Sequence, residues 1–476
     1  MSESKPAAVV SNLIADAVAV ADANIMDRED RLKPGFVERV LDAVAAGDDA
    51  TARALVEPLH PADVADLIEL ARADERDGLV AALAGIVDAD VLAEMNEHVR
   101  DTLIDEMEPQ QLADFAWQLD TDDAVALLED LEDDEQRAVL RAMEPDDRAA
   151  IEEALSYPEE SAGRLMQRDL IAVPEHWTVG QVIDYLRAGD ELATDFWEVF
   201  VVSPSHHPIG TCKLSALLRS PRKVRVADIM FDDQTLIPVG MDQEEVALRF
   251  QKYALISAAV VDPSGRLVGM ITVDDIVHII QEEAGEDVLL LSGAGDGDIN
   301  EPIHLTIRTR LTWLVVNLGT AILAAAVVGG FEAEISKLAV LAVLMGIISG
   351  MGGNAGTQTL AVVVRALATN QLTSSNTVRM VRRELVIALA NGIVLALITG
   401  GGTILLYRNV PLGLVMGAAM IINNIIAGLS GILVPIGLEK ARIDPAISSA
   451  VFVTMATDVM GFFSFLGLAS LAGLAR

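Results

Sequence analysis

Apolar positions along the chain fall into three successive patterns. Between residues 55 and 160, Leu59, Leu83, Met95, Met107, Leu119, Leu131, Met143 and Leu155 stand twelve residues apart or at a multiple of twelve. Several are followed by a helix start: Leu59-His-Pro-Ala-Asp, Met107-Glu-Pro-Gln-Gln, Leu119-Asp-Thr-Asp-Asp, Leu131-Glu-Asp-Asp-Glu, Met143-Glu-Pro-Asp-Asp. Proline suits the first helical turn, and acids there complement the helix dipole. Each unit reads as one short helix plus a turn, unable to bury its apolar stripe alone, so stacked units predict a helical superhelix.

From residue 161 to 288 short Val/Ile-rich runs alternate with helical stretches, and the segment repeats about 64 residues on. Met166 aligns with Met230, Leu170-Ile-Ala-Val-Pro with Leu236-Ile-Pro-Val, and Val199-Phe-Val-Val-Ser-Pro-Ser with Ala259-Val-Val-Asp-Pro-Ser. Both halves then run through Gly210 or Gly269 into a short strand and a helix, which predicts a tandem α/β pair. An acidic helix over Ile276–Glu286 follows, and the Gly-rich Ser292–Gly297 breaks the chain.

From Leu311 onward the apolar runs reach the roughly 20 residues that cross a bilayer. They predict spans at 311–330, 335–364, 383–406, 411–436 and 446–472. The second is long and Gly-interrupted, and is expected to be broken or kinked. Arg308, Arg310, Arg365, Arg379, Arg382, Arg383, Lys440 and Arg442 flank one side, against Lys337, Arg408 and Arg476 on the other. By the positive-inside rule the N-terminus is cytoplasmic and the C-terminus outside. The domains read are a flexible leader (1–31), an acidic superhelix (32–160), an α/β pair (161–276), a connecting helix and linker (277–302), and a transmembrane domain with five spans (303–476).

Charge sharpens this division. Residues 303–476 hold six acids against eleven bases, so residues 1–302 carry −42 of a chain total of −37. So acidic a soluble part repels nucleic acid and attracts cations. Cys212 is the only cysteine, which excludes an intrachain disulfide and a cysteine-based zinc site. No secretory signal is expected: Asp16 and Asp22 interrupt the apolar stretch Ser11–Ala23, and no basic segment leads it. No paired nucleophile and base, P-loop or zinc motif supports an enzyme.

Three groups carry candidate chemistry. Asp458, in Val453-Thr-Met-Ala-Thr-Asp-Val-Met-Gly, lies well inside the fifth span. A mid-membrane carboxylate costs about 2.5–3.5 kcal/mol on insertion scales, so it pairs with a base or lines an aqueous path. No span has a base near its middle, which favours the path. In Gly350-Met-Gly-Gly-Asn-Ala-Gly-Thr-Gln-Thr the glycines suit close helix packing, while Asn354, Thr357 and Gln358 add oxygen ligands, and a Gly-opened turn would present carbonyls too. Asn423-Asn424 in the fourth span fits a buried interhelical hydrogen bond or a pore role, with Asn424 the pore candidate. An all-oxygen set with few carboxylates suits a hard, hydrated divalent cation such as Mg2+, and two chains would supply two Asp458 side chains. The third group is Asp274, Asp275, Glu282, Glu283, Glu286 and Asp287, where stacked like charges repel unless a cation neutralises them.

The chain resembles the MgtE family of magnesium channels from about residue 32 to its end. The most specific pieces are Tyr157-Pro-Glu-Glu-Ser-Ala-Gly-Arg-Leu-Met, Gly352–Gln358, Arg365-Ala-Leu-Ala-Thr, Asp444-Pro-Ala and Thr457-Asp-Val-Met-Gly. The resemblance implies an all-α superhelical N-domain, a tandem CBS pair, a connecting plug helix and five transmembrane helices. It further implies a homodimer in the lipid bilayer of the plasma membrane, its pore lined by the second and fifth spans with Asp458 as selectivity site. Intracellular Mg2+, bound among Asp275, Glu283, Glu286, Asp287 and Asp444, would close it. Two departures stand out. His278 replaces the family's usual acid, and neutral imidazole is a poor Mg2+ ligand. The Ser/Thr-x-x-Asp pattern with which CBS modules bind adenine nucleotides survives as Thr272-Val-Asp-Asp275, the candidate ATP site, but reads Lys213-Leu-Ser-Ala216 in the first module. Two other readings stay open: an ion-coupled divalent-cation (Mg2+/Co2+) carrier, and a membrane-anchored cation or nucleotide sensor that transports nothing.

Overall fold

The computed structural model describes residues 25–29, 31–105, 107–188, 196–294, 297–373, 375–447 and 449–474, with the side chain of Asp287 left out. Most of the expected leader therefore lies outside the described residues, as does Arg476. The chain divides into two compact units, before and after Ile280/Gln281.

Among the described residues, the first unit begins with a run of ten helices: α1 Pro34–Ala45, α2 Asp49–Val56, α3 Pro61–Leu70, α4 Ala73–Ala82, α5 Ala89–Ala93, α6 Glu97–Ile104, α7 Pro109–Ala116, α8 Thr121–Leu128, α9 Asp133–Ala142 and α10 Pro145–Leu155. From α3 to α10 the starts keep the twelve-residue grid at 61, 73, 97, 109, 121, 133 and 145. The start due at 85 moves to 89, because Gly85 takes a left-handed φ of 89° inside the Ala84–Val87 turn. Proline occupies the first turn of α3, α7 and α10, and Asp88 and Asn96 cap α5 and α6 by accepting from Val91 N and His98 N. Helices this short do not persist alone. Their apolar faces merge instead into two stacked cores, one around Phe36, Leu67, Leu79 and Leu92, the other around Leu112, Leu127, Val139 and Ile151.

Two three-stranded sheets of one topology follow. In the first, β1 (Ala172–Pro174) runs parallel to β2 (Glu198–Val202), which is antiparallel to β3 (Pro208–Lys213). In the second, β4 (Leu236–Pro238), β5 (Ser257–Val261) and β6 (Leu267–Thr272) repeat the pattern, including the irregularity at Val201/Val202 and Val260/Val261. The first strands are offset by 64 residues and the paired second and third strands by 59, since the β1–β2 connection is longer. The aligned Met and Gly positions have a reciprocal cause. Gln167 bridges to Met270 and Phe231 to Thr211, so each module's entry segment crosses onto the other module's third strand. A Cβ on Gly269 would come 2.8 Å from Met166 Sδ, and one on Gly210 would come 2.7 Å from Phe231 O and 3.0 Å from Met230 Sδ. A single helix, α11 (Val273–Ser292), leaves the second module without a break.

Among the described residues of the second unit, five helices are long and apolar enough to cross a membrane: α12 Ile303–Gly329, α13 Val340–Ala368, α14 Thr377–Tyr407, α15 Val410–Lys440 and α16 Ser449–Leu471. The first and third start before the apolar runs, because the helix continues through the basic flank while hydropathy reads only its hydrocarbon part. The second span differs from expectation. A separate short helix over Glu332–Lys337 precedes it, and α13 then runs unbroken through Gly346, Gly350, Gly352, Gly353 and Gly356. No Gly-opened turn forms: without water to replace broken backbone hydrogen bonds, the ladder stays closed. Around the buried α15, Leu344 and Ile348 of α13 meet Met416 and Met420 of α15 and Phe465 and Leu466 of α16.

Candidate ion sites

The middle of the membrane unit is organised by notches in its helices. Asn423 of α15 is fully buried and donates from Nδ2 to the Ile348 carbonyl of α13 at 2.8 Å. Its side chain sits between two glycines: a Cβ on Gly352 would collide with its amide, and one on Gly461 of α16 would stand 2.9 Å from its Oδ1. One residue thereby fixes how closely α13 and α16 approach. One turn from these glycines lie Ser349 and Asp458, and Ser349 Oγ donates to Asp458 Oδ1 at 2.6 Å. A Cβ on Gly356 would meet Val453 Cγ1 at 2.5 Å, so the same pair of helices stays close along this stretch.

The pore candidates divide on this frame. Asp458 is half-buried beside Ser349. Asn354 and Gln358 are exposed, on the α13 face that also carries Gly346 and Gly350 at four-residue spacing. Thr357 is half-buried, and its hydroxyl donates to Gly353 O and Asn354 O at 3.0 and 3.1 Å. At 1.5 Å rise per residue, Asn354 and Gln358 lie about 7.5 and 13.5 Å along the helix from Ser349. They are spaced along the helix and do not gather into one shell around Asp458. Asn424 faces elsewhere: it donates to Met420 O in its own helix at 2.9 Å, and its Cβ lies against Gly392 of α14. The residues missed by sequence reasoning are Ser349, and Asn423 as the member of its pair that reaches α13 and α16.

A second assembly lies in the first unit. Asp275, in the first turn of α11, accepts from Thr272 Oγ1 at 2.6 Å and from Gln167 Nε2 at 3.2 Å. The same amide reaches Asp122 Oδ2 at 3.5 Å. Asp122, at the start of α8, is 9 % exposed, and its Oδ1 has no partner among the described residues. Burial, then the charge of Asp275, pushes Asp122 well above the usual carboxylate range. The same two causes raise Asp123 to about 6, with His278 offsetting part of the effect. Burial also raises Asp275 to about 6 against the hydrogen bond from Thr272, which lowers it. Three carboxylates are thus crowded together, their repulsion offset in part at Asp123 by His278. Of these only Asp275 was legible as a site residue. The pair Thr272 and Asp275 is bonded to itself, with Thr272 buried.

Of the remaining regulatory candidates, Glu283 is half-buried and Glu286 exposed on α11, and the side chain of Asp287 lies outside the described residues. One turn after Glu286, Leu290 and Leu291 pack with Leu360 and Val364 of α13 and with Ala446 and Val453 at the entry to α16. Asp444 is exposed in that entry loop, where its Oδ1 accepts from Ala446 N at 2.7 Å.

Five bilayer-length helices, joined to a CBS pair and an acidic helical region, define a multi-pass membrane protein. Profile comparison gives the family. Residues 345–468 match the MgtE divalent cation transporter domain, 59–160 the MgtE intracellular N domain and 226–282 a CBS domain. The Magnesium transporter MgtE of Enterococcus faecalis is 32 % identical over 320 residues, covering 67 % of this chain and 71 % of its own. The Bacillus subtilis protein of the same name is 28 % identical over 436 residues, covering 91 % and 97 %. A solved structure, the cytosolic domain of the Mg2+ channel MgtE in complex with ATP, is 28 % identical, covers 51 % of this chain and 99 % of its own, and superposes with a TM-score of 0.47. This chain belongs to the MgtE family.

Proposed function

We propose that the chain is a magnesium channel that mediates Mg2+ uptake across the plasma membrane and is closed by Mg2+ bound to its acidic cytosolic regions. The observation that carries the reading is the centre of the membrane unit: a carboxylate held by a serine hydroxyl beside an α13 face of Gly346, Gly350, Asn354 and Gln358 that the chain itself leaves uncovered. A polar stripe at membrane depth needs a cavity or a second subunit. A homodimer that faces these stripes across an axis would line a path with oxygen ligands and two Asp458 carboxylates. Mg2+ sheds its waters reluctantly, and such a path would pass it largely hydrated.

Gating follows from electrostatics. The Asp122–Asp123–Asp275 cluster is unfavourable without a cation, so Mg2+ selects the arrangement that brings these acids together. The acids of α11 approach the membrane helices through Leu290 and Leu291, which supports Glu283, Glu286, Asp287 and Asp444 as the link from ion binding to the pore. ATP at Thr272 and Asp275 would engage a carboxylate that the cation cluster also uses, and would therefore be coupled to Mg2+. In this reading the N-terminus is cytoplasmic and the C-terminus outside.

The test is growth rescue of a strain deficient in Mg2+ uptake, with the wild-type chain beside Asp458→Ala at matched expression. Rescue by wild type alone is expected; equal rescue by the variant would reject the pore assignment. In reconstituted bilayers, unitary currents support the channel, and strict coupling of Mg2+ flux to another ion would replace it with the carrier.

A further inference from the structure

One cluster of ligand-type side chains lies outside both sites. On α6, one ligand atom each from Glu97, His98 and Asp101 lie within 4.8 Å of one another. A metal bound at about 2.0–2.2 Å from each would need inward side-chain shifts of only about half an ångström.

Glu97 is exposed at the edge of this cluster, while His98 and Asp101 are half-buried. Burial, with Asp130 and Asp101 nearby, raises the carboxyl of Glu97. Burial likewise raises Asp101, where Asp130 and Asp105 add repulsion and Arg100 opposes it. Asp101 Oδ1 is sealed from solvent and has no hydrogen-bond partner among the described residues. Arg100, only 8 % exposed, reaches into the same corner. It comes within 3.9 Å of Asp101 Oδ1 and of Asp130 Oδ2 but hydrogen-bonds to neither, and its Nε is left without an acceptor. Arg100 offsets one of four nearby carboxylates (Glu97, Asp101, Asp105 and Asp130), so the corner keeps a net negative charge. An unused carboxylate lone pair thus stands beside an imidazole in an anionic, partly buried corner.

We propose that Glu97, His98 and Asp101 form a site for a divalent transition metal of the Mn2+, Co2+, Ni2+ or Zn2+ class, separate from the Asp122–Asp275 cluster. The imidazole sets the class: a neutral ring nitrogen binds these ions and is a poor ligand for Mg2+. The ion would also relieve the repulsion between α6 and Asp130, giving the soluble region a response to a metal other than Mg2+.

The test uses the full-length protein in detergent with excess Mg2+ to fill the oxygen-rich sites. Co2+ is then added and followed by calorimetry and by its visible absorption. The expected result is one Co2+ per chain that persists in Mg2+, is weakened at least about tenfold by His98→Gln and by Asp101→Asn, and is retained in Asp275→Asn and Asp458→Asn. Glu97→Gln serves as a further variant should either of the first two fail to fold. Absence of Mg2+-resistant Co2+ binding, or binding left unchanged by His98→Gln, would overturn the site.

Discussion

The two acidic centres of this molecule solve opposite problems. In the membrane unit one carboxylate, Asp458, is held by one neutral donor, Ser349, between helices whose spacing is set by glycines and Asn423. In the first unit Asp122 and Asp275 share a single amide, Gln167, and Asp123 lies close enough to feel the charge of Asp275. The membrane centre sets a single charge beside a neutral donor, and the other sets like charges against one another with little exposure. Under the proposed function, the membrane centre suits an ion that must also leave and the other an ion that stays, so charge density would distinguish a route from a sensor.

The largest effect that would break this contrast is at Asp458. Asp458→Asn is expected to abolish Mg2+ flux in reconstituted vesicles while the protein still assembles, and flux near wild type would place the route elsewhere. Next, Asp122→Asn combined with Asp275→Asn should leave flux at low Mg2+ intact and raise the Mg2+ concentration that inhibits it by about tenfold or more. The joint change of Glu283, Glu286 and Asp287 to amides should act in the same direction. Unchanged inhibition would reduce the soluble cluster to a structural feature.

A pH effect of intermediate size follows from the raised carboxyls. The folded-state value near 6 for Asp123 lies above its ordinary 3.8, so the folded state binds the proton more tightly and loses stability as pH rises from about 4 to 6. That shift corresponds to on the order of 3 kcal/mol for Asp123. Thermal unfolding of the full chain in chelator should therefore show lower stability at pH 7 than at pH 5, and Mg2+ should restore it at pH 7. A chelated protein more stable at pH 7 would contradict the crowding of these acids.

The smallest expected effect distinguishes neighbours. Asn423→Ala removes a buried donor from Ile348 O and should cost about 1–3 kcal/mol, together with reduced flux, because α13 and α16 lose their spacer. Asn424→Ala should leave flux within about twofold, since its amide serves its own helix and α14. Equal loss of flux in the two variants would return Asn424 to the pore.

Much of the architecture was legible because it is written in periods. A grid of twelve, a duplicated α/β pattern and runs of bilayer length each reflect a local rule, and their elements formed where those rules placed them. Departures came where a single residue overrode the period, as at Gly85, or where the membrane environment overrode glycine's freedom, as along α13.

The sites were legible only in part. Asp458 announced itself, because a carboxylate among apolar residues is costly wherever the helix packs. Asp122 and Asp123 did not. Their Asp-Asp pair opens a helix just as Asp133-Asp134 and Asp146-Asp147 do, and all three read as acids complementing a dipole. Asp133 and Asp134 are nearly fully exposed, whereas Asp122 is buried against Gln167 and Asp275. The sequence by itself determined the helices, the duplicated sheets, the spans and the carboxylate well inside the fifth span, because each depends on neighbours in the chain. Only the tertiary structure decided which acids are crowded, which asparagine spaces the membrane helices and which serine holds Asp458. Burial and like-charge repulsion depend on residues tens to more than a hundred positions away.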